Sequence, residues 1–176
     1  MKQIKTKELL HNYDDLNDID INREVKRAKA LIVNSNDEIM LVFSHNTYFL
    51  VGGHVEENES YESCLEREIL EETGIKITFD SLTPFLSIKY MNKDYPQKGD
   101  NSRYITNYYL VETDAQLNLD IINLTDDEKD GNLEIRYIHK DNILEELNSN
   151  LKISSEKNAV VVMDTIEAVK CYLEDN

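Results

Sequence analysis

A helix with a clear beginning and a clear end, inside residues 52–75, constrains the fold of this chain more than any other feature. Ser60 suits the N-cap, because its hydroxyl can accept a hydrogen bond from a free backbone N–H of the first turn. Gly74 suits the position just after a helix, where the backbone often becomes left-handed. Together they predict a helix over residues 60–73, against which the rest of the chain has to pack.

Three acids of this helix, Glu68, Glu71 and Glu72, fall at positions i, i+3 and i+4 and therefore share one face. Like charges this close repel each other, and a hard divalent cation with oxygen ligands is the usual reason for such a cluster. Solvated glutamates are the ordinary alternative, but they should lie opposite the apolar stripe. At about 100° of rotation per residue, Glu68 instead projects from the same side of the helix as the apolar stripe. The side chains of this stripe are Tyr61, Cys64 and Leu65. We therefore expect a metal site at the rim of the core.

The charge of the chain limits its partners. With a formal net charge of −16 over 176 residues, most of the surface should repel polyanions, so no nucleic acid partner is expected. A small anionic substrate is compatible with this charge where a metal cation neutralises the local field. The length suits one domain with a core of its own.

The cysteines and the apolar runs indicate a compartment. Cys64 and Cys171 lie far apart in the sequence and match no metal spacing, so a protein of the reducing cytoplasm is expected. The apolar runs are too short to span a bilayer, and the N-terminus lacks the features of a signal peptide. No membrane partner is expected.

Hydrophobic patterning divides the chain into an N-terminal appendage, residues 1–22, and a domain over residues 23–176 that includes a C-terminal helix. The appendage is polar, with a weak helical stripe, and we assign it no element. Strands are predicted in the domain at residues 28–33, 38–43, 48–51, 75–79, 85–90, 104–112 and 133–139. Polar loops are predicted at residues 91–103 and 124–132, and further helices at residues 142–147 and 158–173. This mixture favours an α/β sandwich around one sheet.

The central segment resembles the Nudix box, G-x5-E-x7-R-E-U-x-E-E-x-G-U with U aliphatic, at every position. Given the composition, a chance match is on the order of one in ten million. The matching residues are Gly53, Glu59, Arg67, Glu68, Ile69, Glu71, Glu72, Gly74 and Ile75. One departure is Val51, where many members of the family have a proline that shapes the loop. The resemblance implies a Nudix-like α/β/α sandwich with a mixed sheet.

The resemblance also implies a metal centre that holds Mg²⁺ or Mn²⁺. Its ligands would be the carboxylates of Glu68, Glu71 and Glu72 and the backbone carbonyl of Gly52. The catalytic set would be Glu68, Arg67 and Glu72, in which Arg67 orients the carboxylates. Supporting roles would fall to Glu59, as the partner of Arg67, and to two glycines that permit backbone shapes a Cβ would hinder, Gly53 and Gly74.

The sequence leaves several candidates for the residue that acts as the general base. A metal lowers the pKa of a bound water, and a carboxylate within hydrogen-bond reach takes its proton. Glu68 is the first candidate for that carboxylate. In some members the base comes from a later loop, where the candidates are Glu134 and Glu128, followed by Asp126, Asp127 and Asp130.

Substrate recognition should lie outside the box. Tyr90, Arg103 and His54 are the candidates, since an aromatic ring can stack on a base and a cation can meet phosphate. The neighbouring tyrosines and lysines offer the same chemistry, although ordinary packing and solvation explain them equally well; these are Tyr95, Tyr104, Lys89, Lys93 and Lys98.

These observations predict a metal-dependent hydrolase that cleaves the P–O–P linkage of a nucleoside diphosphate joined to another moiety, of the ADP-ribose or nucleotide-sugar type. Two alternatives remain open: a nucleoside triphosphate pyrophosphohydrolase that removes damaged nucleotides, and a non-catalytic nucleotide sensor. The partner expected is a small nucleotide, and a homodimer is possible through residues 1–22 or the C-terminal helix.

Overall fold

The computed structural model describes residues 6–80, 82–124 and 126–175, without the side chains of residues 127, 128 and 175. The strands are β1 (Lys7–Asn12), β2 (Arg23–Val33), β3 (Glu38–Ser44), β4 (Thr47–Phe49), β5 (Leu86–Asn92), β6 (Ser102–Glu112) and β7 (Glu134–His139). The helices are α1 (Tyr61–Thr73), α2 (Asp126–Asp130), α3 (Lys140–Ile153) and α4 (Glu156–Asp175).

All seven strands form one sheet in the order β1-β5-β6-β2-β3-β4, with β7 also paired to β3. The pairs β1–β5 and β2–β6 are parallel, whereas β5–β6, β2–β3, β3–β4 and β3–β7 are antiparallel. The predicted α/β class with a mixed sheet is therefore confirmed.

Strand β2 shows how the sheet builds two cores. Its side chains alternate between the faces, as the pleat requires. Ala28, Ala30 and Ile32 pack with α1 on one face, while Leu31 and Val33 pack with α3 and α4 on the other. The sheet thus lies between α1 on one side and α3 and α4 on the other. Alternate residues of β2 therefore lie next to α1 and next to α4.

The prediction of a strand at residues 75–79 is wrong, since this segment has no sheet partner. Side chains of α1 satisfy its backbone instead: the N–H of Ile75 donates to the Thr73 hydroxyl at 3.1 Å and the N–H of Phe79 to the Glu66 carboxylate at 2.7 Å. The alternating apolar residues that suggested a strand pack into the core on the α1 side. Apolar side chains that are buried at every second residue therefore indicate an extended backbone. A strand forms only where a neighbouring strand is available for pairing.

Three other segments differ from their predictions. Residues 1–22, to which no element was assigned, contain β1, which lies parallel to β5 at the edge of the sheet. The loop predicted at residues 124–132 contains the short helix α2, and α3 extends well beyond the predicted residues 142–147. The loop predicted at residues 91–103 is shorter, because β5 and β6 continue into both of its ends.

Candidate active site

The caps of α1 fix where its acidic face begins and ends. The Ser60 hydroxyl accepts a hydrogen bond from the N–H of Ser63 at 3.1 Å, as expected of an N-cap. At the other end Gly74 adopts φ 69°, and its N–H donates to the carbonyl of Leu70 at 2.9 Å. The predicted helix therefore exists and ends where the sequence indicated.

Arg67 gathers the carboxylates of this face. Its Nε and Nη2 each donate to one oxygen of Glu59, both at 2.9 Å, which makes the pair bidentate. Its Nη1 donates to Glu68 at 2.7 Å and contacts Glu71 at 3.4 Å. The hydrogen bond from Arg67 lowers the pKa of the Glu59 carboxyl. Of the four acids predicted for the site within residues 52–75, the structure thus brings three together around the arginine.

The fourth acid, Glu72, joins α1 to residues 52–54, which we call the glycine loop. Its side chain is buried, and its Oε1 accepts a hydrogen bond from the N–H of Gly52 at 3.2 Å. Glu68 lies directly against Gly53, where a Cβ would collide with its carboxylate. Glycine at position 53 is therefore required for the close approach of the loop to the acidic face.

Lys29 is a site residue that the sequence analysis missed. Its ammonium group donates to the carbonyl oxygen of Gly52, the oxygen that the family resemblance assigns to the metal. Burial lowers the pKa of Lys29, while the negative charges of Glu72 and Glu68 act in the opposite direction. The available signal was a lysine within the otherwise apolar run of residues 28–33, the core of strand β2.

The donor atoms fit a hard divalent cation in their chemistry, since carboxylate and carbonyl oxygens are what Mg²⁺ prefers. Their arrangement is a separate matter: within residues 6–80, 82–124 and 126–175, no group of three or more acidic, histidine or cysteine side chains is positioned to hold a metal ion. Arg67 holds the carboxylates of Glu68 and Glu71, and Lys29 holds the Gly52 carbonyl. Two cations of the protein thus lie among the groups that a metal would use.

A cleft of about 670 Å³ opens beside the glycine loop, between β2 and the first turns of α4. Arg27, Lys29, His54 and Lys157 line it, and no acidic residue does so within the described part of the chain. Nε of Arg27 donates to Nε2 of His54 at 3.2 Å. Burial, followed by the charge of Arg27, lowers the pKa of His54, so its imidazole is neutral at neutral pH and can accept this bond.

The other predicted substrate residues lie among partners of their own. Tyr90 stacks on His11 with ring centroids 4.6 Å apart, and its hydroxyl donates to Asp164 at 2.6 Å. Arg103 forms ion pairs with Asp18 at 2.6 Å and with Glu24 at 2.6 Å. Of the three candidates, only His54 lines the cleft.

The candidate acids of the later segment lie apart from α1. Glu134, at the start of β7, is exposed and forms an ion pair with Arg136 at 2.7 Å. Together with Asp130 it borders a separate surface depression. The side chains of Glu128 and Asp127 lie outside the described residues.

Comparison with protein families decides the assignment. The model described as NUDIX domain matches residues 24–154, about three quarters of the chain. This chain belongs to the NUDIX domain family. As a Nudix hydrolase it acts on phosphorus-containing anhydrides; members generally use a divalent metal and small nucleotide substrates.

Solved structures share the Nudix fold. The MutT protein from Methanosarcina mazei Go1 is 19% identical with a TM-score of 0.53, over 88% of this chain and 96% of that one. The Escherichia coli dihydroneopterin triphosphate pyrophosphohydrolase is 12% identical with a TM-score of 0.55, over 86% and 96%. The mutator MutT protein from Bacillus halodurans is 20% identical with a TM-score of 0.50, over 69% and 72%. At these identities, the likeness shows the fold alone.

No helix in residues 6–80, 82–124 or 126–175 is both long enough and apolar enough to traverse a bilayer.

Proposed function

We propose that this Nudix hydrolase cleaves the P–O–P bond of a small nucleotide, releasing a nucleoside monophosphate and the other phosphorylated half. The observation that carries the proposal is the position of the acidic face of α1. Arg67 joins the acids of this face, and Glu68 and Glu72 lie against the glycine loop. Gly52 and Gly53 of that loop border a cleft lined by cations. A diphosphate that enters the cleft would meet positive charge on one side and metal-ligating oxygens on the other.

Glu68, Glu71, Glu72 and the Gly52 carbonyl would hold Mg²⁺ or Mn²⁺. When bound, the metal neutralises phosphate oxygens and acidifies a water. Among the protein's own groups, Arg67 orients Glu68 and Glu71, while Glu72 fixes the glycine loop through the Gly52 N–H. Glu68, which lies against Gly53 and 2.7 Å from Arg67, is the first candidate for the general base. Glu134 would need to move from Arg136 to serve in its place.

The sequence favours a nucleoside diphosphate joined to a sugar, such as ADP-ribose or a nucleotide sugar, and this stays a prediction. The second candidate, nucleoside triphosphate pyrophosphohydrolysis, is favoured by a specific observation: Arg27, Lys29 and Lys157 face one cavity. Three cations match the additional charge of a triphosphate better than they match a neutral sugar. A sensor without turnover would have no need for every acid of the box.

Product analysis tests the reaction class. Purified protein with Mg²⁺ is incubated with a panel of nucleoside triphosphates, ADP-ribose and nucleotide sugars, and the products are separated by anion exchange. We expect a nucleoside monophosphate from at least one substrate. Binding of nucleotides without any product would support the sensor instead.

Two finer proposals accompany this function. The protein would reside in the reducing cytoplasm, where thiols such as those of the buried Cys64 and Cys171 stay reduced. A homodimer would use the outer edge of β1 or the exposed face of α4, and light scattering that gives only a 20.5 kDa species would exclude it.

A further inference from the structure

Arg27 differs from the other arginines of the chain in its surroundings. Each of the others forms an ion pair with a carboxylate, and these are Arg23, Arg67, Arg103 and Arg136. Arg27 forms none with the side chains that the structure describes. Its Nε donates to His54, and its guanidinium carbon lies 5.6 Å from the centre of the Tyr104 ring. An arginine that contacts an imidazole and an aromatic ring instead of a carboxylate, in a chain with 35 acidic and 19 basic residues, is available to an anion.

The cleft around Arg27 has a charge opposite to that of the whole molecule. Lys157, in the first turn of α4, faces Arg27 and Lys29 across the cavity. Positive groups that line a cleft with low-dielectric walls focus the field and attract small anions, even where the net charge is −16. A bulk acidic surface would meanwhile repel polyanions and exclude them from the same cleft.

The register of β2 places Arg27 opposite His54 of the glycine loop. Arg27 and Lys29 lie two residues apart on one face of the strand, a step of about 7 Å. Lys29 contacts the Gly52 carbonyl, beside Glu72. A substrate whose diphosphate lies at the glycine loop would therefore present its next group to Arg27.

The nearby acid Asp164 does not use the guanidinium as a hydrogen-bond partner. It borders a small adjoining cavity of about 50 Å³, and its Oδ1 accepts the Tyr90 hydroxyl at 2.6 Å. Burial raises the pKa of Asp164 to about 6, while its hydrogen bond with Tyr90 and the charges of His11 and Arg27 act in the opposite direction. Arg27 therefore keeps its planar donor fork for a ligand.

We propose that Arg27 and Lys157 bind a phosphoryl group beyond the diphosphate that is cleaved, so that the preferred substrate is a nucleotide with a third phosphoryl group. Arginine suits this role because its guanidinium can donate two parallel hydrogen bonds to one phosphate. The inference rests on the proposed function, since it uses the same cleft. It selects triphosphates over nucleotides that end in a neutral sugar.

Equilibrium binding separates this inference from turnover. Calorimetry with ATP and with ADP-ribose, both with Mg²⁺, is carried out on the Glu72→Gln protein, which we expect not to hydrolyse either ligand. Adding Arg27→Met should weaken ATP binding by roughly tenfold or more, the value of one charge-assisted hydrogen bond. ADP-ribose binding should change by less than about threefold, because its distal ribose carries no phosphate. Arg23→Met, on the same strand but paired with Asp100, should change neither.

Lys157→Met provides the second variant and Lys170→Met its control, about 20 Å further along the same helix. Equal losses for both ligands, or no loss for either, in variants that unfold at the wild-type temperature would overturn the inference. If the wild type cleaves no nucleotide while Arg27→Met still selectively loses ATP, the proposed function fails and the anion site stands. If the wild type cleaves a nucleotide but Arg27→Met does not selectively weaken ATP binding, the proposed function stands and the anion site fails.

Discussion

Lys29 shows how one residue can change the expected behaviour of a site whose motif is complete. Its ammonium contacts the Gly52 carbonyl and faces the charges of Glu68 and Glu72. A partly buried cation among carboxylates relieves their mutual repulsion when no metal is bound. The same charge opposes a divalent cation that approaches these ligands.

Replacing Lys29 by methionine should therefore tighten metal binding. We expect Lys29→Met to bind Mn²⁺ more tightly, on the order of tenfold, and to unfold at a lower temperature without metal. Free Mn²⁺ measured by electron paramagnetic resonance reports the affinity without reference to activity. Lys26→Met is the matched control, because Lys26 lies on the same strand and forms an ion pair with Glu24 at 3.2 Å. Equal Mn²⁺ affinity in wild type and Lys29→Met would exclude this role.

Asp164 predicts a pH-dependent difference in stability. Burial raises its pKa from the ordinary 3.8 to about 6. Between these two pH values the folded state binds more protons than the unfolded state. The contribution of Asp164 to the free energy of unfolding therefore falls as the pH rises from about 4 to about 6, and it is constant above about pH 6. Asp164→Asn keeps an acceptor for Tyr90 and removes the titration.

The unfolding free energy of Asp164→Asn minus that of the wild type should consequently increase across this pH range, by at most about 3 kcal/mol. Urea denaturation at about pH 4, 5, 6 and 7 measures it. A difference that stays constant with pH would show that Asp164 titrates normally.

At the scale of elements, α1 was predictable because its determinants are local. Ser60 and Gly74 cap it through bonds within a few residues, and the acidic face follows from helical spacing. The error at residues 75–79 has the opposite cause, because only the rest of the fold decides whether an extended segment finds a partner. The same holds for Arg27 and His54, which lie opposite each other where β2 pairs with the glycine loop.

The C-terminal cap of α1 can be tested by substitution. At Gly74 φ is 69°, and a Cβ would also collide with the backbone of Asn118. Gly74→Ala should cost more than about 1 kcal/mol of unfolding free energy, since it adds a clash to the left-handed backbone. Gly99→Ala is the control, because φ is 93° there and a Cβ would meet no neighbouring atom within 4 Å. Equal losses in the two variants would mean that the contact with Asn118 relaxes freely.

At the scale of the molecule, the segment before β2 takes part in the sheet through β1. Strand β1 pairs with β5 from Lys7 to Asn12, and Lys7 forms an ion pair with Glu167 of α4 at 2.8 Å. The sequence did not indicate this strand, because its apolar residues are few and the pairing is distant in the chain. It covers an edge of β5 that would otherwise present unpaired backbone groups.

Deletion of residues 1–12 should lower the melting temperature and promote aggregation, since it exposes the β5 edge. Differential scanning fluorimetry and light scattering at several protein concentrations measure both effects. Lys7→Met, which removes only the ion pair with Glu167, should stay close to the wild type. A shortened chain as stable and monodisperse as the full one would show that β1 is dispensable.

The central claim is that the acidic face of α1 carries the chemistry. The most direct measurement is the rate of nucleoside monophosphate release with Mg²⁺, on the best substrate, for the wild type, Glu72→Gln and Glu57→Gln. Glu57 is an exposed acid of the same segment and serves as the charge-matched control. The account predicts that Glu72→Gln loses turnover by at least about a hundredfold with its fold intact, while Glu57→Gln keeps it. Turnover retained in a folded Glu72→Gln protein would place the reaction elsewhere in the molecule.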